Sequence, residues 1–220
     1  MAVTPFDSRF LGPLFADPEV AALFSGEAEL AAMIDVERAL ARVEGRLGVI
    51  PADAAAEIDR RLKDAIIDPA SLAAGTRSAG VPLPGLVKDL KAVVGGEAAE
   101  FVHWGATSQD IVDTALMVRL GTALDRLEAR LEALIDVLAR LVETHRGTVM
   151  AARTRTQIAV PTTFGLRAAG WLAPLLRHRE RLAEARPRIL MVQFGGAGGT
   201  ASAIGGDGLA VMEALADELG

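Results

Sequence analysis

An all-α protein built around one very long helix is what this sequence predicts, on three observations. Between Asp110 and His145 there is no proline and only one glycine, Gly121. Within that stretch Leu120, Leu124, Leu127, Leu131, Leu134, Leu138, Leu141 and His145 recur in steps of four and three, the spacing of a helical packing seam. Upstream, Leu30, Ile34, Leu40, Val43 and Leu47 also fall at helical rather than strand spacing.

Taken in order, the first of these helices should run from Glu27 to Leu47. A second follows with Pro51 in its first turn and Ile58, Leu62 and Ile66 on one face, and Asp68-Pro69 stops it. Shorter helices are expected over Ala70 to Ala79 and Pro84 to Val94, with Val81-Pro-Leu-Pro as a turn or extended linker between them. The long helix, Asp110 to His145, would span roughly 50 Å at about 1.5 Å per residue, too long for a small monomeric domain to cover. Ile111, Val112, Leu116, Ile135, Val137 and Val142 lie beside its seam, so contacts on more than one face, with other subunits, are expected. Another helix should cover Thr162 to Ala185, with Pro174 as a possible kink and Arg186-Pro187 ending or bending it. A glycine-rich loop from Gly195 to Gly208 then precedes a last segment, Leu209 to Leu219. The expected division is an N-terminal helical domain, 1–108, and a long-helix bundle, 109–220.

Composition narrows the functions. A formal charge of −6 argues against general nucleic-acid affinity, and with 4% aromatic residues and no Tyr there is little from which to build a base-stacking platform. An anionic small substrate remains compatible if local Arg, amide and hydroxyl groups work against the overall charge. The absence of cysteine excludes disulfides and thiolate metal sites and fits a reducing compartment. The opening MAVTPFDSRFLGPLF lacks a basic segment followed by a long apolar one, and no window is apolar enough to span a bilayer. A soluble, cytoplasmic protein is expected, with neither membrane nor nucleic acid as partner.

Two segments carry chemistry. FVHWGATSQDIVDT, Phe101 to Thr114, places a His, two hydroxyls and an amide at the mouth of the long helix. The first amides of a helix lack internal partners and its dipole favours negative charge there, so Thr107, Ser108 and Gln109 could hold a carboxylate; equally, Ser108 could be a plain N-cap with Asp110 complementing the dipole. MAARTRTQIAVPTTFG, Met150 to Gly165, concentrates Arg153, Thr154, Arg155, Thr156 and Gln157 between apolar segments. Guanidinium forks suit carboxylates, and hydroxyls with an amide complete such a shell; otherwise this is a solvated polar turn. His145 and His178 suit a helix end and a basic helix face. None of the three histidines has metal-ligand spacing, so no metal site is expected.

These two segments, together with the loop QFGGAGGTASAIGG, resemble the fumarase/aspartase superfamily along almost the whole chain. The opening TPFDSRF through Val49-Ile50-Pro51 looks like the cycloisomerase branch. The resemblance implies a homotetramer with a central bundle of long helices, active sites shared between subunits, and no cofactor. The implied substrate is a tricarboxylate, a cis,cis-muconate with an extra carboxylate, closed to a lactone in protocatechuate breakdown. It further implies a substrate-binding set of Thr107, Ser108, Gln109, Arg153, Thr154, Arg155 and Gln157, with Thr200 on the glycine-rich loop. His103 lies near the cleft as a candidate for catalysis or for a structural hydrogen bond.

There are two departures from the family pattern. Adenylosuccinate-type lyases have His after Arg-Thr, where this chain has Arg155, and the following Gln-His is Gln157-Ile158. The family's flexible G-S-S-x-M-P-x-K-x-N loop, with its usual catalytic Ser and anion-binding Lys, would lie beyond residue 220, so a C-terminally truncated chain is expected. Competing expectations are a fumarate-releasing lyase and a catalytically silent helical oligomerisation fragment. Gly196-x-Gly198-x-x-Ala201 superficially matches a dinucleotide loop, but no preceding βαβ pattern supports it.

Overall fold

The computed structural model describes residues 4–220. Short helices α1 (Gly12–Phe15) and α2 (Pro18–Leu23) lead to α3 (Gly26–Leu47), α4 (Ala52–Leu62), α5 (Pro69–Ala79) and α6 (Leu83–Val94). The long helix α7 covers Ser108–Thr144, followed by strands β1 (Val149–Thr154) and β2 (Gln157–Thr163), then α8 (Phe164–Ile189) and α9 (Gly208–Leu219). Local chemistry sets these boundaries. Ser25 Oγ accepts from the Ala28 amide to start α3, left-handed Gly48 ends it, and Asp68 Oδ1 accepts from Ala70 N to start α5.

Two compact units result. The first joins the chain up to Gly121 with Leu190–Gly220. Its core is the inner stripe of α3, with Met33, Val36, Leu40 and Val43 packed among Ile58 and Leu62 of α4 and Leu86 and Leu90 of α6. Val211 and Leu215 of α9 complete it, and α9 packs directly on α3. Above this contact Glu218 accepts from Arg42 Nε at 2.7 Å and Arg46 at 2.5 Å, and Arg42 also reaches Asp59 of α4 at 2.6 Å. The two guanidinium groups, Arg46 first, hold the Glu218 carboxyl below its ordinary range.

The second unit, Thr122–Ile189, holds the rest of α7, the β-hairpin and α8. Arg186 of α8 pairs with Asp125 and Glu128 on α7, and Arg179 with Glu132. The rings of His145, Phe164 and Trp171 stack edge to face in sequence.

The structure is helical as expected, with one small exception. Residues 149–163 form an antiparallel pair, with a bulge between Ala151 and Arg153, in place of a simple turn between helices. β-Branched residues at Val149, Ile158, Val160, Thr162 and Thr163 favour the extended backbone, so α8 begins at Phe164 instead of Thr162. At its other end α8 continues through Pro187 to Ile189 instead of stopping near Ala185. Helix α4 ends at Leu62, and Ile66, expected on its apolar face, is 95% exposed.

Two charged residues break the α3 core stripe. Glu44 is fully buried with both carboxyl oxygens unpartnered, and Glu37 is 2% exposed. Burial, and secondarily the nearby charge of Glu37, pushes the Glu44 carboxyl up to about 9. An unfolded glutamate titrates near 4.5. Between those two values the folded chain holds one proton more than the unfolded chain. This contribution is therefore complete below the lower value and is lost as pH rises through the upper one, with a slope of up to about 1.4 kcal/mol per pH unit. Glu44→Gln, a neutral isostere, should flatten the dependence. Urea midpoints of both proteins from pH 5 to 9 check this, and parallel curves would contradict it.

Candidate active site

In the first unit the candidate site is built on one buried carboxylate. Asp110, in the first turn of α7, is 2% exposed and accepts three backbone amides: Gly195 N on Oδ1 at 3.1 Å, and Gly196 N and Thr107 N on Oδ2, each at 2.9 Å. One turn further, buried Thr114 clamps Gln193, its hydroxyl donating to the carbonyl at 3.1 Å and accepting from the amide at 3.0 Å. The start of α7 and the glycine-rich loop are thereby fastened together across about eighty residues of sequence.

The backbones fit closely enough to require glycine on both sides. Gly196 has φ +65°, and a Cβ there would lie 2.5 Å from the Gly105 carbonyl oxygen. Gly105, at φ +66°, would put its own Cβ 2.6 Å from Ile204 Cγ2. The loop then turns back on itself through Ala201 N donating to Gly195 O at 2.6 Å, with Thr200 exposed just after the turn Ala197–Gly199.

Thr107, Ser108, Gln109 and Thr200 thus sit on two segments locked to each other. Thr107 and Ser108 are half-buried, while Gln109 is exposed and donates to Asp113 at 2.5 Å. Helix α7 starts at Ser108, which makes Thr107 the capping position, with Asp110 reaching back to its amide. The helix mouth therefore already holds the protein's own carboxylate. What it offers a second anion is the two hydroxyls and the remaining first-turn amides. His103, at φ 63°, stands at the head of this loop, with its Nδ1 2.6 Å from Glu37 Oε1.

In the second unit the Arg153 cluster forms the tip of the hairpin. Thr154 pairs with Gln157, so Arg155 and Thr156 are the two turn residues, with φ 42° and 67°. Two left-handed residues in a two-residue hairpin turn match a type I′ turn, which normally selects Asn and Gly. A β-branched Thr in that position is a strained choice. All five polar side chains, Arg153 through Gln157, are exposed. Arg153 also borders a groove of about 570 Å³ between the hairpin and α8, opposite Arg167, whose guanidinium lies 5.7 Å from the centroid of the Trp171 ring.

Sequence reasoning did not single out Glu37, Thr114 or Arg167 and treated Asp110 only as a dipole complement. Glu37 was signalled by position, three residues after Ile34 and three before Leu40 on an otherwise apolar stripe. Among the described residues no group of three or more His, Cys, Asp or Glu is arranged to hold a metal ion, and no helix is long and apolar enough to cross a membrane.

The lyase family profile matches residues 16–220. The chain belongs to this family, that of the fumarase/aspartase enzymes. A 3-carboxy-cis,cis-muconate cycloisomerase of Pseudomonas aeruginosa is 45% identical over all of this chain and 48% of its own length. The crystal structure of 3-carboxy-cis,cis-muconate lactonizing enzyme from Pseudomonas putida superposes with a TM-score of 0.90 at 41% identity, covering 96% of this chain and 49% of that one. An adenylosuccinate lyase of Methanocaldococcus jannaschii is 37% identical over all of this chain and 46% of its own length. The chain spans about half the length of the curated relatives it matches.

Proposed function

We propose that this chain provides the carboxylate-binding part of a cycloisomerase that interconverts 3-carboxy-cis,cis-muconate and 4-carboxymuconolactone. The observation that carries this reading is the hairpin tip, where Arg153 and Arg155 put two guanidinium groups within three residues and no imidazole follows Arg153-Thr154. Adenylosuccinate-type chemistry expels a nitrogen leaving group, which needs a general acid. Opening a lactone releases a carboxylate, already a weak base.

In the forward direction one substrate carboxylate oxygen forms a C–O bond across the conjugated double bond. The electron pair moves onto the carbon next to another carboxylate, giving an enediolate, and that carbon takes up one proton. Cations and hydrogen-bond donors stabilise the enediolate, and holding both ends of one molecule supplies much of the remaining advantage. In this reading Thr107, Ser108, Gln109 and Thr200 of one copy of the chain bind one carboxylate region, and Arg153, Thr154, Arg155 and Gln157 of another copy bind the other, because the 37-residue helix α7 separates the two clusters within a single copy. The reaction needs no cofactor.

The second reading is a fumarate-releasing lyase, favoured by the match of all of this chain to about half of an adenylosuccinate lyase. A homotetramer fits either. Leu127, Leu134 and Val137 on α7, and Val149, Val160 and Leu166 beyond it, remain well exposed in the single chain, and burying them against other copies is the natural use of such surface.

Ultraviolet absorbance of 3-carboxy-cis,cis-muconate is the test, run on this chain and on a chimera joining it at Gly220 to the remaining half of the Pseudomonas aeruginosa relative. Loss of the diene signal with either supports the assignment. No loss with both, in folded helical protein, shifts it to another substrate or to a scaffold. In the active form Arg153→Ala should lower kcat/KM roughly 10- to 100-fold, the worth of one charge-assisted hydrogen bond, with helical content unchanged; unaltered kinetics would remove Arg153 from the site.

A further inference from the structure

We propose that Glu37 is a positioning residue for His103, holding a proton on Nδ1 so that Nε2 is the nitrogen turned to substrate, where it donates to a carboxylate once it carries a proton of its own. This rests on the reading above, in which Thr107, Ser108 and Gln109, a few residues after His103, bind a substrate carboxylate.

The geometry is specific. Glu37 Oε1 lies 2.6 Å from His103 Nδ1, between a side chain 1% exposed and one 17% exposed. An ionised carboxylate only accepts hydrogen bonds, so the proton between them sits on Nδ1. Nε2 then has its lone pair free. When it too is protonated, the resulting imidazolium shares its charge with Glu37, and Nε2–H becomes a charge-assisted donor. A third group that orients a histidine through its second nitrogen is how a ring is given one tautomer and one direction.

The surroundings argue that core packing alone does not require this pair. Glu37 stands on the apolar stripe of α3 between fully buried Val36 and Leu40, where a charge is costly, and its Oε2 has no partner. An apolar side chain would fill the place at less cost. His103 is itself held at positive φ, strained for a residue with a Cβ. Four residues on, Thr107 is pinned by Asp110, so both ends of the loop are fixed, one to α3 and one to α7.

Imidazole ¹⁵N NMR of this chain is the direct test. Nδ1 should give the signal of a protonated nitrogen and correlate with its own hydrogen. A bare Nδ1 in the native chain would overturn the proposal without any variant. In Glu37→Gln the tautomers should mix, because an amide can donate as well as accept. Turnover in the chimera tests the consequence. Glu37→Gln should raise KM about 10-fold with kcat little changed. In a His103→Gln background the same substitution should cost nothing further. Additive losses in that double variant would make Glu37 a structural residue only and reject the proposal. A chimera that never consumes the substrate would sink the cycloisomerase reading, while the ring signals would still decide whether Glu37 sets the tautomer.

Discussion

Asp110→Ala is expected to cost about 3–5 kcal/mol of unfolding free energy and to abolish detectable turnover in an active form of the enzyme. Three backbone amides, from Thr107, Gly195 and Gly196, lose their acceptor together. A buried donor left unpaired costs about 1–3 kcal/mol, and the new cavity admits water to some of them, which keeps the sum below the maximum. At this chain length the loss corresponds to a fall in Tm of roughly 10 °C. Asp110→Asn retains an acceptor oxygen but sets an NH2 group against an amide, so it should fall between the two. Thermal unfolding followed by circular dichroism checks the order. An alanine variant as stable as the parent would mean that the glycine-rich loop is held by something other than this carboxylate.

Gly196→Ala should be nearly as damaging for a different reason. The added methyl carbon would lie 2.5 Å from the Gly105 carbonyl oxygen, well inside van der Waals contact, and the residue keeps a left-handed backbone. The obstacle is main chain and cannot swing aside as a side chain would. About 1 kcal/mol for the backbone conformation and about 1–3 kcal/mol for overpacking give a loss of roughly 2–4 kcal/mol. Because the clash separates the two site segments, activity should fall further than stability. Denaturant unfolding and turnover on the same sample test this, and an active variant with parental stability would show that the two loops need not touch.

Much of the architecture could be read from residue spacing. The Leu seam from Leu120 to Leu141 lies within α7, whose expected bounds fall within two residues of the observed ones, and Pro51 precedes the first residue of α4; Asp68-Pro69, expected to stop α4, instead starts α5, and α4 ends earlier at Leu62. The hairpin was harder. Its strands are short, most of their residues are exposed, and the Arg155-Thr156 turn lacks the Asn-Gly pair that usually announces it. The motifs themselves were visible as dense clusters of polar groups, and family resemblance joined them. The part played by Asp110 was not visible, since its partners Gly195 and Gly196 lie 85 and 86 residues away and contribute only main-chain atoms. No side-chain pattern encodes such a contact. Glu37 was legible in principle, as a charge at a core position of an amphipathic helix, but its partner His103 is 66 residues downstream.

Helix α9 returning to α3 has a consequence for how the protein is made. Arg42 and Arg46 meet Glu218 across 176 and 172 residues, and Val211 and Leu215 fill the same core as Val36 and Leu40. On the ribosome, α3 emerges first and must wait with part of its apolar stripe uncovered until α9 has been synthesised. At about 5–20 residues per second that delay is roughly 10–30 seconds, long compared with helix formation and collapse. During it the nascent N-terminal helices are a natural client for a chaperone, and a ribosome stalled before Gly208 would present a chain whose first unit cannot close.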